Sequence, residues 1–366
     1  MWKKTTLGNI SNIKIYQPQT IKPLNFGKYK VFGANGYIGY YEEYNHNTNQ
    51  VTISCRGEKS GTVNFVEPFV WITGNSMVLN LDKTSEIIKK FLYYELISNN
   101  VNYLITGSGQ PQLTRDSLIQ HKIYFQNIDE QTEIANFLSL IDKRIELQNK
   151  IIKDYELLKK VLNYRLFNYG NDNSFLRFSE FTEQWQNSKL QNFLVATSER
   201  NSELINREVY SISNKDGFIP QILQFDGKKI ASSNLEKYKV IRKNEFAYNP
   251  ARINVGSIAK FNENKEIIIS PMYISFHSKN LIPNFLLYYF KSLVFHKQLK
   301  LNLEGSVRIN LEWKYLIKIK IDYPNNNEQT KIINFLLAIE KIIFFKENVL
   351  GLYKKQKNFF LSKLFI

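Results

Sequence analysis

The sequence predicts an α+β protein in which one domain-plus-helix unit occurs twice. Three observations carry that expectation. First, the segment Asp129 to Phe167 lies without a gap on Asn327 to Phe365 at an offset of 198 residues, with fourteen of 39 positions identical, including Glu130/Glu328, Gln131/Gln329, Thr132/Thr330, Phe137/Phe335 and Leu138/Leu336. Second, both segments keep apolar residues at a 3–4 spacing and contain no proline, the signature of long amphipathic helices. Third, each segment is preceded by short β-rich runs punctuated by Gly and Asn.

The elements follow in chain order. Residues 1–128 open with Trp2 to Leu7, whose spacing returns at Trp185 to Leu190. The runs VFGANGYIGYYEEY, QVTISCRG, TVNFV and MVLNL predict strands, with Asn35-Gly36 as a hairpin turn. SEIIKKFLYYELISNN has helical periodicity with Ser85 placed to cap it. Residues 129–167 form the first long helix, with Leu138, Ile141, Ile145 and Ile152 on one stripe that skips only Gln148. Residues 168–180 read as a linker, polar from Asn168 to Asn173. Residues 181–326 repeat the first domain: Asp216-Gly217-Phe218-Ile219 matches the Asn35-Gly36 turn, and Val255-Gly256-Ser257-Ile258 matches Ser60-Gly61-Thr62-Val63. The strand runs FIPQI, EFAYN, GSIAKF and IIISPMYISF precede a helical stretch, IPNFLLYYFKSLVFHKQLKL. Residues 327–366 form the second long helix, with Leu336, Ile339, Ile343 and Leu350 on its stripe. Each globular domain is expected to hold an irregular, mostly antiparallel sheet with helices. Further apolar positions (Phe137, Leu158, Leu162; Phe335, Phe344, Phe345, Phe360) widen the stripe beyond a simple seam. That width fits either packing within the chain or a second contact with another protein.

Composition narrows the function classes. With 43% hydrophobic and 14% aromatic residues, the 366-residue chain can build real cores. No apolar run approaches the ~18–20 residues of a membrane span, and no apolar stretch follows the lysines of MWKKTTLGNISN, so an intracellular protein is expected. One cysteine, Cys55, excludes an intramolecular disulfide framework and a zinc ribbon.

No motif carries chemistry. Tyr248-Asn249-Pro250-Ala251 faintly resembles the Asn/Asp-Pro-Pro-aromatic motif of amino-methyltransferases, but lacks the second proline and the aromatic; a strand-end turn is the better reading. Gly107-Ser108-Gly109-Gln110 lacks the Lys-Ser/Thr of a phosphate loop. The histidines (His46, His121, His277, His296) are scattered and form no metal-ligand spacing. Cys55 stands beside Arg56, which would lower its pKa, yet no base accompanies it. No catalytic residue and no metal site is expected.

The charge points to an acidic polymer. Of the net +16, residues 1–128 hold +5 and residues 181–326 hold +8, while 129–167 are neutral, 168–180 carry −1 and 327–366 carry +4. Folded domains thus present the charge, as a binder of double-stranded DNA requires, because phosphate contacts by Lys and Arg dominate that affinity. Arg56 and Lys59 flank Gly57, and Arg252 and Asn254 precede Gly256 at the corresponding place. Gln110, Arg115, Lys228, Lys229 and Arg308 complete the candidate DNA-binding set. A solvated-surface role for any one of them stands beside the DNA role.

Together these features resemble the specificity subunits of type I restriction–modification systems, over nearly the whole chain. The resemblance rests on the Trp-x4-Leu openings at Trp2 and Trp185, the Gly-Ser loops followed by Leu113 and Leu311, the paired Glu-Gln-x-x-Ile-x-x-Phe-Leu starts at Glu130 and Glu328, and Leu176-Arg177-Phe178 … Phe181 … Trp185. It implies two target-recognition domains, each reading half of a split, asymmetric DNA site, and an antiparallel coiled coil that separates them and docks two methyltransferase subunits. On that resemblance S-adenosylmethionine, ATP and magnesium belong to partner subunits, restriction subunits can join, and this chain binds no cofactor and no membrane. One departure is that the first domain begins directly at Trp2, which leaves open how the chain ends are joined. Alternatives are a related methyltransferase/nuclease fusion system without a separate restriction subunit, a stand-alone DNA-binding regulator, an enzyme that modifies DNA by itself, and a protein scaffold. A helix of ~36 residues is about 54 Å long and matches roughly 15 base pairs, so coil length is expected to set the gap between half-sites.

Overall fold

The computed structural model describes residues 2–107, 109–170, 175–224, 235–303 and 310–365. Contacts divide the chain into two compact units, Met1–Lys150 with Glu347–Ile366, and Ile151–Lys346.

In the first unit, β1 (Lys3–Thr6) is followed by a 3-10 turn at Leu7–Asn9, then by β2 (Lys14–Tyr16), β3 (Tyr29–Phe32), β4 (Tyr37–Tyr41), β5 (Gln50–Ser54), β6 (Val63–Val66), β7 (Val70–Ile72) and β8 (Ser76–Asn80). Helices α1 (Lys89–Ser98) and α2 (Arg115–Ile119) precede β9 (Lys122–Phe125) and the long α3 (Ile128–Phe167). One sheet has the order β2-β8-β5-β6 and is antiparallel throughout; a second, β4-β3-β7, includes a parallel β3/β7 pair, and β1 pairs with β9. Every residue of β5 is buried although its sequence, QVTIS, alternates polar and apolar; the polar side is covered and held by hydrogen bonds, Gln50 Nε2 donating to Thr48 Oγ1 at 2.8 Å and Ser54 Oγ to Ala34 O.

The second unit repeats this plan. It contains β10 (Gln186–Lys189), β11 (Leu194–Thr197), β12 (Val209–Ser213), β13 (Gly217–Pro220), α4 (Gln221–Gln224), β14 (Lys239–Ile241), β15 (Phe246–Tyr248), β16 (Ile258–Lys260), β17 (Ile267–Ile269) and β18 (Ile274–Ser278). Then follow α5 (Pro283–Phe290), α6 (Leu293–Leu303), α7 (Trp313–Leu316), β19 (Lys320–Tyr323) and α8 (Asn326–Leu364). Its sheets run β11-β18-β15-β16 and β13-β12-β17-β14, with β10 on β19 and a parallel β12/β17 pair. Strand by strand these match the first unit, with β14 added. The Gly61/Gly256 correspondence is also structural: β6 begins two residues after the first glycine and β16 two residues after the second.

Each core closes over the end of a long helix. In the first unit Leu361 and Phe365 of the chain's last segment join Leu7, Ile53, Phe91 and Ile123, and Phe365 lies 5.3 Å from Phe91, centroid to centroid. In the second, Leu166 and Phe167 join Trp185, Phe246, Phe285 and Phe290, with Phe167 at 5.0 Å from Phe285. The apolar stripes behave as their spacing requires: Leu138, Ile141, Ile152, Leu336, Ile339 and Ile343 are buried, Ile145 and Leu350 partly so.

Two local expectations need correction. Ser85 does not cap α1, which starts at Lys89 with Ile88 in the capping position and no side-chain cap of its own. Instead Gln131, fully buried on α3, accepts the Ile88 N–H at 2.9 Å and donates to the carbonyls of Glu86 and Gln126. Gln329 does the same for α5, accepting the Ile282 N–H at 3.1 Å and donating to Pro324 O. The repeated Gln of the long helices is therefore a cap supplied from another element. The stretch expected as one helix after β18 is two, α5 and α6, broken at Ser292. Its Oγ donates to Tyr289 O and accepts the Phe295 N–H, ending one helix and starting the next.

Candidate nucleic-acid interface

The loops at one end of the first unit are tied together by backbone and short side chains. Gly57 N–H donates to Pro111 O at 3.1 Å, Ser60 Oγ to the same carbonyl at 3.0 Å, and Leu113 N–H to Cys55 O at 3.0 Å. Ser76 Oγ donates to Gly33 O at 2.8 Å and to Ala34 O at 3.1 Å, and Ser54 Oγ also donates to Ala34 O. The β3–β4 turn, the β5–β6 loop, Thr106 and residues 110–112 thus form one cluster. Gly57 and Gly61, with φ of 84° and 85°, take the left-handed conformation that the tight β5–β6 loop needs.

Of the expected residues, the structure brings Arg56, Lys59 and Gln110 into this cluster, all exposed. Arg56 and Lys59 make no ion pair among the described residues. Arg115 is different: its Nε donates to Ile15 O at 2.9 Å, which anchors the start of α2 to β2. Cys55 is buried beneath the cluster, accepts from Gln17 Nε2 at 2.9 Å, and has its thiol pushed up by burial despite Arg56. The lowered pKa that its neighbour suggested from the sequence is overridden by desolvation.

The second unit builds the equivalent cluster. Leu311 N–H donates to Pro250 O at 3.0 Å, as Leu113 does to Cys55 O, and Ser257 Oγ donates to Ile212 O at 3.3 Å beside the β12–β13 turn. Tyr248-Asn249-Pro250-Ala251 is the end of β15 and the turn after it; Asn249 Oδ1 accepts the Ala251 N–H at 3.0 Å. Arg252 and Asn254 stand exposed on the 3-10 turn at Ile253–Val255, closed by Gly256 at φ 90°. Lys228, Lys229 and Arg308 lie outside the described residues.

The described cations of the second domain fall into two groups. Arg207, Arg242 and Lys265 are engaged with Glu199, Glu208, Glu263 and Glu266 in exposed ion pairs, whereas Arg252 pairs with none of the described residues. A cleft of about 410 Å³ beside the turn is lined by Ser213, Lys215, Lys260 and His296. Burial lowers the Lys260 pKa, and the Lys243 charge adds to the effect; its Nζ donates to Asn244 Oδ1 at 3.0 Å. Among the described residues no group of three or more His, Cys, Asp or Glu could hold a metal ion, and no helix is long and apolar enough to cross a membrane.

The helix side of each unit is organised by a second repeated network. Tyr94 of α1 donates to Asp142 Oδ2 of α3 at 2.7 Å, and Lys357 of α8 pairs with Asp142 at 2.6 Å. Tyr288 of α5 donates to Glu340 Oε2 of α8 at 3.0 Å, and Lys159 of α3 pairs with Glu340 at 2.6 Å. Both phenols are pushed well above the ordinary range, first by burial. Phe137 and Phe335, both offered as partner contacts, are met within the chain by Phe360 at 4.8 Å and Phe178 at 5.6 Å. Leu140, Leu147 and Leu157 of α3 and Phe344, Phe345 and Leu352 of α8 remain largely exposed.

Comparison with known proteins adds five findings. Residues 1–156 match the model of the type I restriction modification DNA specificity domain. The specificity subunit of the type I restriction enzyme EcoprrI from Escherichia coli is 27% identical over 41% of this chain and 37% of its own length. That of MjaVIII from Methanocaldococcus jannaschii is 24% identical over 82% of this chain and 74% of its own. In fold, the chain is similar to the S subunit of the Mycoplasma genitalium type I restriction–modification system, with a TM-score of 0.63, 20% identity, and 100% and 96% of the two chains covered. A chain from a structure concerned with assembly and conformational transition of the type I system aligns with a TM-score of 0.59, 14% identity, and 99% and 97% covered. At these identities the likeness is one of fold.

Proposed function

We propose that this chain, whose residues 1–156 match the type I restriction modification DNA specificity domain, is a specificity subunit of a type I restriction–modification system and reads a split, asymmetric DNA sequence, one half with each unit. The observation that carries the reading is the pair of equivalent loop clusters. They occupy the same place in the same topology, yet one displays Arg56, Lys59 and Gln110 and the other Arg252 and Asn254. Cations outside ion pairs suit phosphate, and Arg, Asn and Gln can pair bidentately with base edges. Different side chains on equal scaffolds suit two different half-sites.

On the same reading the long helices are spacer and dock. Their exposed Leu and Phe side chains face two methyltransferase subunits, with restriction subunits joining the full complex in the cytoplasm. The chain itself is non-catalytic: adenine methylation, with S-adenosylmethionine, and ATP- and magnesium-dependent steps belong to those partners. Docking rests on Leu147 and Phe344 more than on Phe137 and Phe335, since the latter rings already have partners.

The test is sequencing of methylated adenines with the cognate methyltransferase present. Arg56→Ala is expected to relax or weaken one half of the recognised sequence and Arg252→Ala the other. Equal losses on random DNA would reduce both residues to phosphate contacts. Methyl transfer by this chain alone would overturn the division of labour.

A further inference from the structure

We propose that the tip of the β3–β4 hairpin, from Ala34 to Ile38, enters the major groove and reads an A·T base pair, with Asn35 on the adenine edge and Ile38 against the thymine methyl group. The inference rests on the DNA reading proposed above and names the reader within it.

The tip is rigid and projects. Gly33 N–H donates to Gly36 O at 2.8 Å, closing the turn. Ala34 O is held by Ser54 and Ser76, which joins the tip to the loop bearing Arg56 and Lys59. Farther back, Leu24 and Tyr40 exchange two backbone hydrogen bonds of 2.9 Å, so the hairpin's outer edge is covered there and its free end starts before Gly39. Ile38 is 52% exposed although it is a large apolar residue. A Cβ on Gly33 would lie 2.9 Å from its Cγ2, so the glycine gives Ile38 a fixed seat. Asn35 is exposed, and its amide makes no hydrogen bond among the described residues. Tyr37 instead leans back, 5.5 Å from Phe32, with Lys30 Nζ 5.0 Å from its ring. Lys28, just before the strand, adds a second cation, its Nζ 5.2 Å from the Tyr29 ring.

The chemistry fits one partner. A two-stranded ribbon fits the major groove, where an Asn amide can donate to adenine N7 and accept from N6, and hydrocarbon can cover the thymine methyl. The lysines behind the tip are suited to flanking phosphates. The matching tip in the second unit has Asp216, 3.5 Å from Ser213 Oγ, and a Phe218 turned onto Phe261 at 5.5 Å. Asp216 stands in the place of Asn35, and Ile219, in the place of Ile38, is only partly exposed, so the A·T reading is assigned to the first unit alone.

The experiment uses the full chain with its cognate methyltransferase subunits and the site mapped as above. Binding is measured on duplexes in which one adenine at a time is replaced by 7-deazaadenine, or one thymine by uracil. Wild type is expected to lose about tenfold at one adenine of one half-site and about fourfold at a thymine in the same half-site. Asn35→Ala should erase the first loss and Ile38→Ala the second, with the other half-site unaffected. Asn35→Asp should shift preference from adenine towards cytosine, whose N4 an acid can accept. If the wild type discriminates its site but both alanine variants keep every analogue effect, the hairpin assignment falls while the DNA reading stands. If the wild type discriminates no DNA sequence, both fall.

Discussion

Tyr94 and Tyr288 make the same contact twice, whereas Asn35 and Asp216, at the tips of matching hairpins, share only their place. On the helix side each unit ties a domain tyrosine to an acid on one long helix and a lysine from the other. On the loop side, equal strand order carries unlike side chains. A duplicated fold thus separates its two tasks: contacts that hold a domain to the helices are constrained by packing and stay alike, while loops that meet the outside can diverge. One helix-side contact breaks this rule. Glu328 is buried, accepts from Arg177 Nε and Nη2 at 2.8 Å each, and accepts from Trp185 Nε1 at 3.0 Å. Glu130 is linked to Trp2 through Gln126: with the amide turned so that both of its ends are satisfied, it donates to Glu130 at 2.7 Å and accepts from the indole at 3.0 Å.

That difference gives the largest expected effect. Glu328→Ala leaves a mostly buried guanidinium without its carboxylate and should cost about 3–5 kcal/mol. Glu130→Ala should cost less than ~1 kcal/mol, because Gln126 can still serve the indole. Denaturant unfolding of both variants checks this; equal losses would show that the relay through Gln126 is as stiff as the direct pair.

Next comes a difference inside α1 and α5. Glu95 is buried, with its carboxylate pushed up to about 8 chiefly by desolvation, although Tyr124 N–H at 3.1 Å and Asn99 Nδ2 at 3.3 Å donate to it. At the matching place the second unit has Tyr289, whose hydroxyl donates to Lys320 O at 2.8 Å. Since the folded-state pKa lies above the ordinary 4.5, the folded state keeps a proton that the unfolded chain releases. The contribution of Glu95 to the first unit's stability should therefore fall as pH rises from about 4.5 to about 8, by a few kcal/mol and at most about 5, and level off above that. Burial lowers His46 and His121 in the first unit, which gives a slope of opposite sign, and raises Glu245 in the second, so the quantity to read is the difference between wild type and Glu95→Gln, by hydrogen exchange resolved by segment. That difference should grow across this pH range in the first unit and stay flat in the second; a flat difference in the first unit would place the titration elsewhere.

How much of this was legible beforehand follows from the range of each interaction. The repeat, both long helices, the hairpin turns and most strands are written in local spacing, so they could be read from 366 letters. The cap of α1 could not, because Gln131 acts from 43 residues away and Ser85 looked locally sufficient. The split at Ser292 hides because an interior serine and a capping one look alike in sequence. For the candidate interface, loop position was legible at Arg56 and Arg252. What was missed is which groups are already spent: Arg115 on a carbonyl, Arg207 and Arg242 on glutamates, Phe137 and Phe335 on aromatic rings. The Asn35-Gly36 pair carried a signal, but one for a turn, and only the exposure of its amide points further.

The two capping glutamines test whether likeness of contact means likeness of energy. Gln131→Ala and Gln329→Ala each leave a helix-start N–H and the carbonyls behind it without a partner, and each should cost about 1–3 kcal/mol. A disparity well beyond the error of unfolding measurements would mean that the copies are alike in geometry only.

The smallest effect is the most direct probe of the repeated network. Lys159 and Glu340, and Lys357 and Asp142, are ion pairs whose side chains are 30% and 31% exposed in one case, 17% and 29% in the other. Water and salt screen charges so placed, so a double-mutant cycle to alanine should return about 0.5 kcal/mol for either pair. The more covered Lys357–Asp142 pair should give the larger coupling and the weaker salt dependence, because burial limits screening. The tyrosines sharpen the cycle. In a Tyr94→Phe or Tyr288→Phe background the acid loses a hydrogen-bond donor, and the remaining lysine should couple to it more strongly if the three groups act as one network. Unchanged coupling in both backgrounds would make the tyrosine and the lysine independent neighbours of the acid, and the likeness of the two units would then be one of packing alone.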